Sequence, residues 1–141
     1  MNDQQLKQIG ILILRISLGM VLIAHSLYLK LVIFTLPGTA QFFSSIGLPA
    51  FLAYVVFSIE AVSGIALILG IKTRFFAAIT IPVLLGATWA HLGNGWLFNN
   101  ANGGWEYPAF LSLVALAQAF LGDGALAFRV PLGRRLSTTA A

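Results

Sequence analysis

Glu60 is the residue from which chemistry has to be argued. It stands near the middle of the apolar stretch PAFLAYVVFSIEAVSGIALILG, residues 49–70. Read as a helix crossing a bilayer, that stretch puts a carboxyl group at mid-depth, where a charge costs about 2.5 to 3.5 kcal/mol by insertion scales. Such a group must be protonated, face a wet cavity, or meet a cation from another helix. Few residues can meet it, since only 9% of the 141 residues are charged. Arg15, His25 and Lys30 lie in the first apolar run, His91 closes the third, and Glu106 precedes the fourth. A carboxyl group beside imidazoles suits proton transfer or ligand binding, because both change charge without leaving their shell. His25, His91, Glu60 and Glu106 could also ligate a metal, but no local ligand spacing supports that, and no metal site is expected.

The elements that must position these groups follow from composition. With 59% hydrophobic residues and a mean hydropathy of +0.93, the chain has more apolar surface than one soluble core of its size can bury. The expectation is an all-α polytopic membrane protein: one domain over residues 1–141, built as a four-transmembrane-helix bundle. The apolar runs predict helices over about 9–36, 49–70, 75–92 and 107–128. Between the first two, TLPGTAQFFSSIGLP predicts a short interfacial helix with Thr39 as its N-cap. Pro82 falls inside the third helix and predicts a kink. The tail, residues 129–141, ends in LSTTAA and is expected to be disordered. The net charge of +4 does not point to nucleic acid, because the bases flank apolar runs, as orienting residues do. The absence of cysteine excludes disulfides, iron–sulfur ligation and thiol chemistry by this chain, so redox work would need a bound cofactor or a partner.

Loop charges give the orientation. Lys7, Lys72, Arg74, Arg129, Arg134 and Arg135 make one consistent set, with both termini and the middle loop in the cytoplasm, whereas GNGWLFNNANGGWEY carries no Lys or Arg and is expected outside. At the usual helical rise, Arg15 then lies about 6 Å in depth from Glu60, which predicts a buried Arg15–Glu60 ion pair. His25 and His91 fall level near the outer face, where Glu106 starts the last helix. Plainer roles stand beside these. Arg15 and Lys30 could snorkel to the headgroups, either histidine could be a hydrogen-bonded structural residue, Glu106 could serve the helix dipole, and Trp105, with Trp96 and Tyr107, suits an aromatic belt.

At these residues the chain resembles the DoxX family of bacterial four-helix inner-membrane proteins. The resemblance covers roughly residues 9–128. It rests on Arg15 with Gly19 and His25 with Lys30, then on Glu60 with Gly64, Gly70, Thr73 and Arg74, and finally on His91 and the run Gly103, Gly104, Trp105, Glu106, Tyr107, Pro108. Many relatives read His-Gly-x-x-Lys, whereas this chain has Ser26 for the glycine and one extra residue before Lys30. Related DoxD proteins look like the membrane subunit of thiosulfate:quinone oxidoreductase, and DoxX proteins are linked to membrane-associated oxidoreductase complexes in oxidative stress. The resemblance thus implies a multi-pass inner-membrane protein associated with an oxidoreductase system, with a quinone or other small redox molecule near His25, Lys30, Glu60, His91, Trp105 and Glu106. The alternative is a non-catalytic scaffold that recruits a soluble redox partner. Homo-oligomerisation stays open.

Overall fold

The computed structural model describes residues 1–128. The tail expected to be disordered, with Arg129, Arg134 and Arg135, lies outside the described residues. The first helix, α1, runs from Asp3 to Ile23 and starts earlier than the apolar run because Asn2 and Gln5 cap it reciprocally. The Gln5 N–H donates to Asn2 Oδ1 (2.9 Å) and the Asn2 N–H to Gln5 Oε1 (3.0 Å). Without leaving the helix axis, the chain then winds more widely, as a π-helix over Ala24–Ile33. A short helix, α2, follows over Leu36–Ser45. Its N-cap is Thr35, whose side chain accepts from the Gly38 N–H at 3.2 Å. Thr39, expected in that role, lies inside the helix and donates its hydroxyl to the Thr35 carbonyl instead.

Helix α3 spans Phe51–Leu69, and Gly70 ends it in the left-handed conformation (φ 73°), while the Ile71 N–H reaches back to the Ala66 carbonyl. Helix α4 begins almost at once and runs from Thr73 to His91. Pro82 is part of it, on the exposed side, and the helix is continuous through that position. A single 3₁₀ turn, Leu92–Asn94, leads into the loop before the last helix, α5, over Glu106–Leu121. The last helix expected over 107–128 is therefore shorter. Residues 122–128 leave the helix and fold back across one end of the bundle, where the Ala125 N–H donates to the Gln8 carbonyl and the Phe128 N–H to the Leu69 carbonyl. Two glycines, Gly122 (φ 84°) and Gly124 (φ 69°), give this strap its turns.

Among the described residues the fold is all-helical. Asp3–Ile33, Phe51–Leu69 and Thr73–Asn94 are long and apolar enough to cross a membrane, whereas α5, 16 residues or about 24 Å, is a shorter apolar helix. Leu18, Leu22, Leu67, Ala77, Leu84, Leu111 and Ala115 form the buried core, drawn from α1, α3, α4 and α5. The register of α1 on α3 is set by two glycines. A Cβ on Gly19 would stand 2.9 Å from the Gly64 carbonyl oxygen, and one on Gly64 would stand 3.0 Å from that of Gly19. The two backbones touch at this crossing, which is how small residues let helices associate in a bilayer.

Candidate functional site

The Gly19–Gly64 crossing determines what faces Glu60. One turn beyond Gly64 toward the start of α3, Glu60 is 5% exposed and looks at the π segment of the first helix. Lys30 meets it there: Nζ lies 2.7 Å from Oε2 and 3.0 Å from Oε1, so one ammonium holds both carboxylate oxygens. This is the single ion pair among the described residues. It corrects the expected pairing of Glu60 with Arg15. Arg15 lies at the opposite end, beside Gly70, whose Cβ would stand 2.5 Å from Arg15 Nη1. Ten residues of α3 separate Gly70 from Glu60, about 15 Å along the axis. That is beyond a guanidinium's reach, and the expected depths failed because both helices were set from the edges of their apolar runs rather than from the glycine crossing.

Arg15 is fully buried and is held by main chain instead, donating from Nη1 to the Asp123 carbonyl of the strap. Its Nε–H, the Thr73 hydroxyl and Gln118 Oε1 are buried without a protein partner. Gln118 Nε2 donates to the Gly122 carbonyl (2.6 Å), so Arg15 and Gln118 both anchor on the strap, away from Glu60.

His25, also in the π segment, is half-buried and stacks on Tyr107 of α5, with ring centroids 6.0 Å apart and planes at 27°. Tyr107 also lines an open groove of about 570 Å³ with Trp96, Phe98, Trp105, Glu106 and Phe110. The groove is mostly aromatic, with one carboxylate at its edge. The structure thus brings Lys30 and Glu60 into contact and sets His25 against the tyrosine that walls the groove.

The other expected residues have structural partners in the loop before α5. His91 Nδ1 lies 3.1 and 3.0 Å from the carbonyls of Asn102 and Gly103 and 3.2 Å from Asn94 Nδ2. Glu106 Oε1 accepts the Phe98 N–H at 2.8 Å, and Trp105 packs edge-on against Trp96, centroids 4.4 Å apart. These three residues fold the loop onto the bundle. Among the described residues no group of three or more His, Cys, Asp or Glu side chains could hold a metal ion. Sequence reasoning missed Tyr107 as the ring under His25 and the strap carbonyl under Arg15. The run Gly122, Asp123, Gly124 carried the only signal for the second, as a turn where a helix was expected to continue.

A family model described as DoxX matches residues 10–93, more than half of the chain. The chain belongs to the DoxX family. As a DoxX protein with three helices fit to span a bilayer, it is a membrane protein. It is also similar to a protein of Bacillus subtilis (strain 168) that bears the name "Putative oxidoreductase CatD", with 39% identity over 80 residues. The match takes in 57% of this DoxX chain and 58% of that relative, so the chain spans less than two thirds of the relative's length. No solved structure matches it. The family match ends at residue 93, so Glu60, Lys30 and His25 lie inside it, and Trp105, Glu106 and Tyr107 lie beyond it.

Proposed function

We propose that this DoxX protein is the membrane component of an oxidoreductase system and binds a quinone or another small redox molecule through the Lys30–Glu60 pair and the His25–Tyr107 stack. The Lys30–Glu60 pair carries the reading. An ammonium and a carboxylate set deep between apolar helices are costly to keep there, and intramembrane ionisable groups of this kind mark ligand or proton pathways. Quinone reduction takes up two electrons and two protons. Glu60 can release and recover a proton, Lys30 can donate hydrogen bonds to a carbonyl oxygen, and His25 can pass a proton between them and the groove. The aromatic groove behind Tyr107 is within the size range of small-molecule sites and would admit a flat ring from the bilayer. The oxidoreductase name of the relative agrees with redox work. In this reading α5 is the fourth span, the protein lies in a bacterial inner membrane with both termini cytoplasmic, and electrons come from a partner protein.

A second reading is favoured by one observation: Lys30 already satisfies both oxygens of Glu60, as a pair that only fixes helix packing would. The protein would then be a scaffold for a soluble redox partner. Organic extraction of the purified protein and titration with a short-chain quinone, followed by melting temperature, separate the two. The first reading expects co-extracted quinone and a rise in melting temperature that is lost in the double substitution Lys30→Met with Glu60→Leu. No quinone and no shift, with a stoichiometric soluble protein co-purifying, would leave the scaffold reading standing.

A further inference from the structure

The loop bonds that hold His91 also settle which of its ring nitrogens carries the proton. The carbonyl oxygens of Asn102 and Gly103 lie 3.1 and 3.0 Å from Nδ1, and a carbonyl oxygen only accepts. A bare Nδ1 would set its lone pair against theirs, so the ring must donate from this side. Asn94 cannot reverse the roles. Its Nδ2 carries two hydrogens, and the same two carbonyls, at 3.1 and 2.8 Å, take both, leaving none for the ring at 3.2 Å. Turning the Asn94 amide over would press its oxygen against both carbonyls. The carbonyls are themselves fixed. Asn102 (φ 65°) and Gly103 (φ 75°) are left-handed in succession, and the loop is tied by Asn100 Nδ2 to the Asn94 carbonyl (2.9 Å) and by the Trp105 N–H to that of Gly95 (3.1 Å).

With the proton on Nδ1, neutral His91 has its basic lone pair on Nε2. No hydrogen bond among the described residues uses Nε2, and it is not one of the buried atoms that lack a partner, so it is open to whatever reaches this end of the bundle. The proposed site is close by. A Cβ on Gly103 would stand 3.7 Å from His91 Nδ1, and Tyr107, four residues on, stacks on His25. A charge on His91 is also felt at His25.

We infer that His91 is locked as its Nδ1–H tautomer and presents Nε2 as a hydrogen-bond acceptor, the group that recognises the hydroxyl of a reduced ring bound at this site. The choice of ligand rests on the quinone reading, whereas the tautomer does not. Carbonyls behind one ring nitrogen fix the orientation of the imidazole and raise the basicity of the other. Lys30 can only donate, which suits the carbonyl oxygen of an oxidised ring, while neutral His91 can only accept at Nε2, which suits the O–H of the reduced one. Together they distinguish the two redox forms.

Two substitutions separate the nitrogens, since an asparagine amide reaches the place of Nδ1 and a glutamine amide that of Nε2. His91→Asn keeps a donor for the two carbonyls and has nothing at Nε2, so it should melt close to the parent in detergent. His91→Gln loses the loop donor and should melt lower. Nitrogen–proton correlation spectra of labelled imidazoles read the tautomer directly. The chain has two histidines, so the signal that disappears in His91→Asn belongs to His91. In its neutral form that ring should be protonated at Nδ1 and bare at Nε2. A neutral ring protonated at Nε2 would overturn the inference whatever the ligand. Should His91→Asn fail to fold, His25→Gln assigns the ring by elimination, and the spectrum alone decides. Binding is read by anaerobic titration with a short-chain benzoquinol and with the matching benzoquinone. His91→Asn should weaken quinol binding roughly tenfold, as loss of one good hydrogen bond does, and leave quinone binding unchanged. Unchanged quinol binding, or an equal loss for both forms, would overturn the role of Nε2. Should the parent bind neither form, the quinone reading falls and the recognition with it, while the spectrum still decides the tautomer.

Discussion

Between Lys30 and Glu60 the contacts are short and nearly dry, at 16% and 7% side-chain exposure, so neither group has water to fall back on. Removing one partner strands the other charge in a low-dielectric interior and typically costs about 3 to 5 kcal/mol, whereas replacing both with apolar residues is often near neutral. Lys30→Met alone and Glu60→Leu alone should each therefore lower folded yield and melting temperature sharply, and the double substitution should recover most of both. Detergent melting curves of the three variants are the measurement. Arg15 is a different case. Its hydrogen-bond partner is the main-chain carbonyl of Asp123, so the contact depends on the position of the strap.

At the scale of elements, the crossing of α1 and α3 makes the sharpest demand. A methyl group on Gly64 would meet Ile23 Cγ1 at 2.8 Å and the Gly19 carbonyl oxygen at 3.0 Å, so Gly64→Ala should cost about 1 to 3 kcal/mol by overpacking. Gly86 of α4 has open space around it, and Gly86→Ala should be neutral or gain up to about 1 kcal/mol from helix propensity. Equal effects at the two sites would mean that the crossing is looser than its geometry implies.

This level also marks what the sequence could tell. The apolar helices were legible from run length and from local punctuation such as Pro37 and Gly70, but the turn signal at Gly122 was overridden and the last helix was expected to run on to residue 128, whereas it ends at Leu121. Glu60, Lys30 and His25 stood out as costly groups in apolar runs. Their pairing did not, because it depends on register across two helices, which no periodicity within one helix encodes. The π winding was hidden for a similar reason. Nothing in the apolar run sets residues 24–33, which wind as a π-helix, apart from the α-helical residues before them.

The molecule as a whole must also have one orientation in its membrane. If, as proposed, both ends and the Lys72 turn face the cytoplasm, a single cysteine at Lys72 in this otherwise cysteine-free chain should react with an impermeant thiol reagent only after the membrane is opened. One at Asn99 should react in intact cells. The reverse pattern would refute the orientation, and the outer placing of the groove with it.

The strap adds a constraint of another kind. Because Ala125 is hydrogen-bonded to Gln8, those two residues share one face of whatever membrane the bundle crosses. A path that leaves a surface and returns to the same surface must cross an even number of times. If the three longer helices each span, parity obliges α5 to be the fourth despite its 16 residues, and the bilayer around it must thin or the helix ends must be wetted. Cysteines placed at Gln8 and at Ala125 should therefore always label from the same side, and a variant in which they did not would have lost the strap.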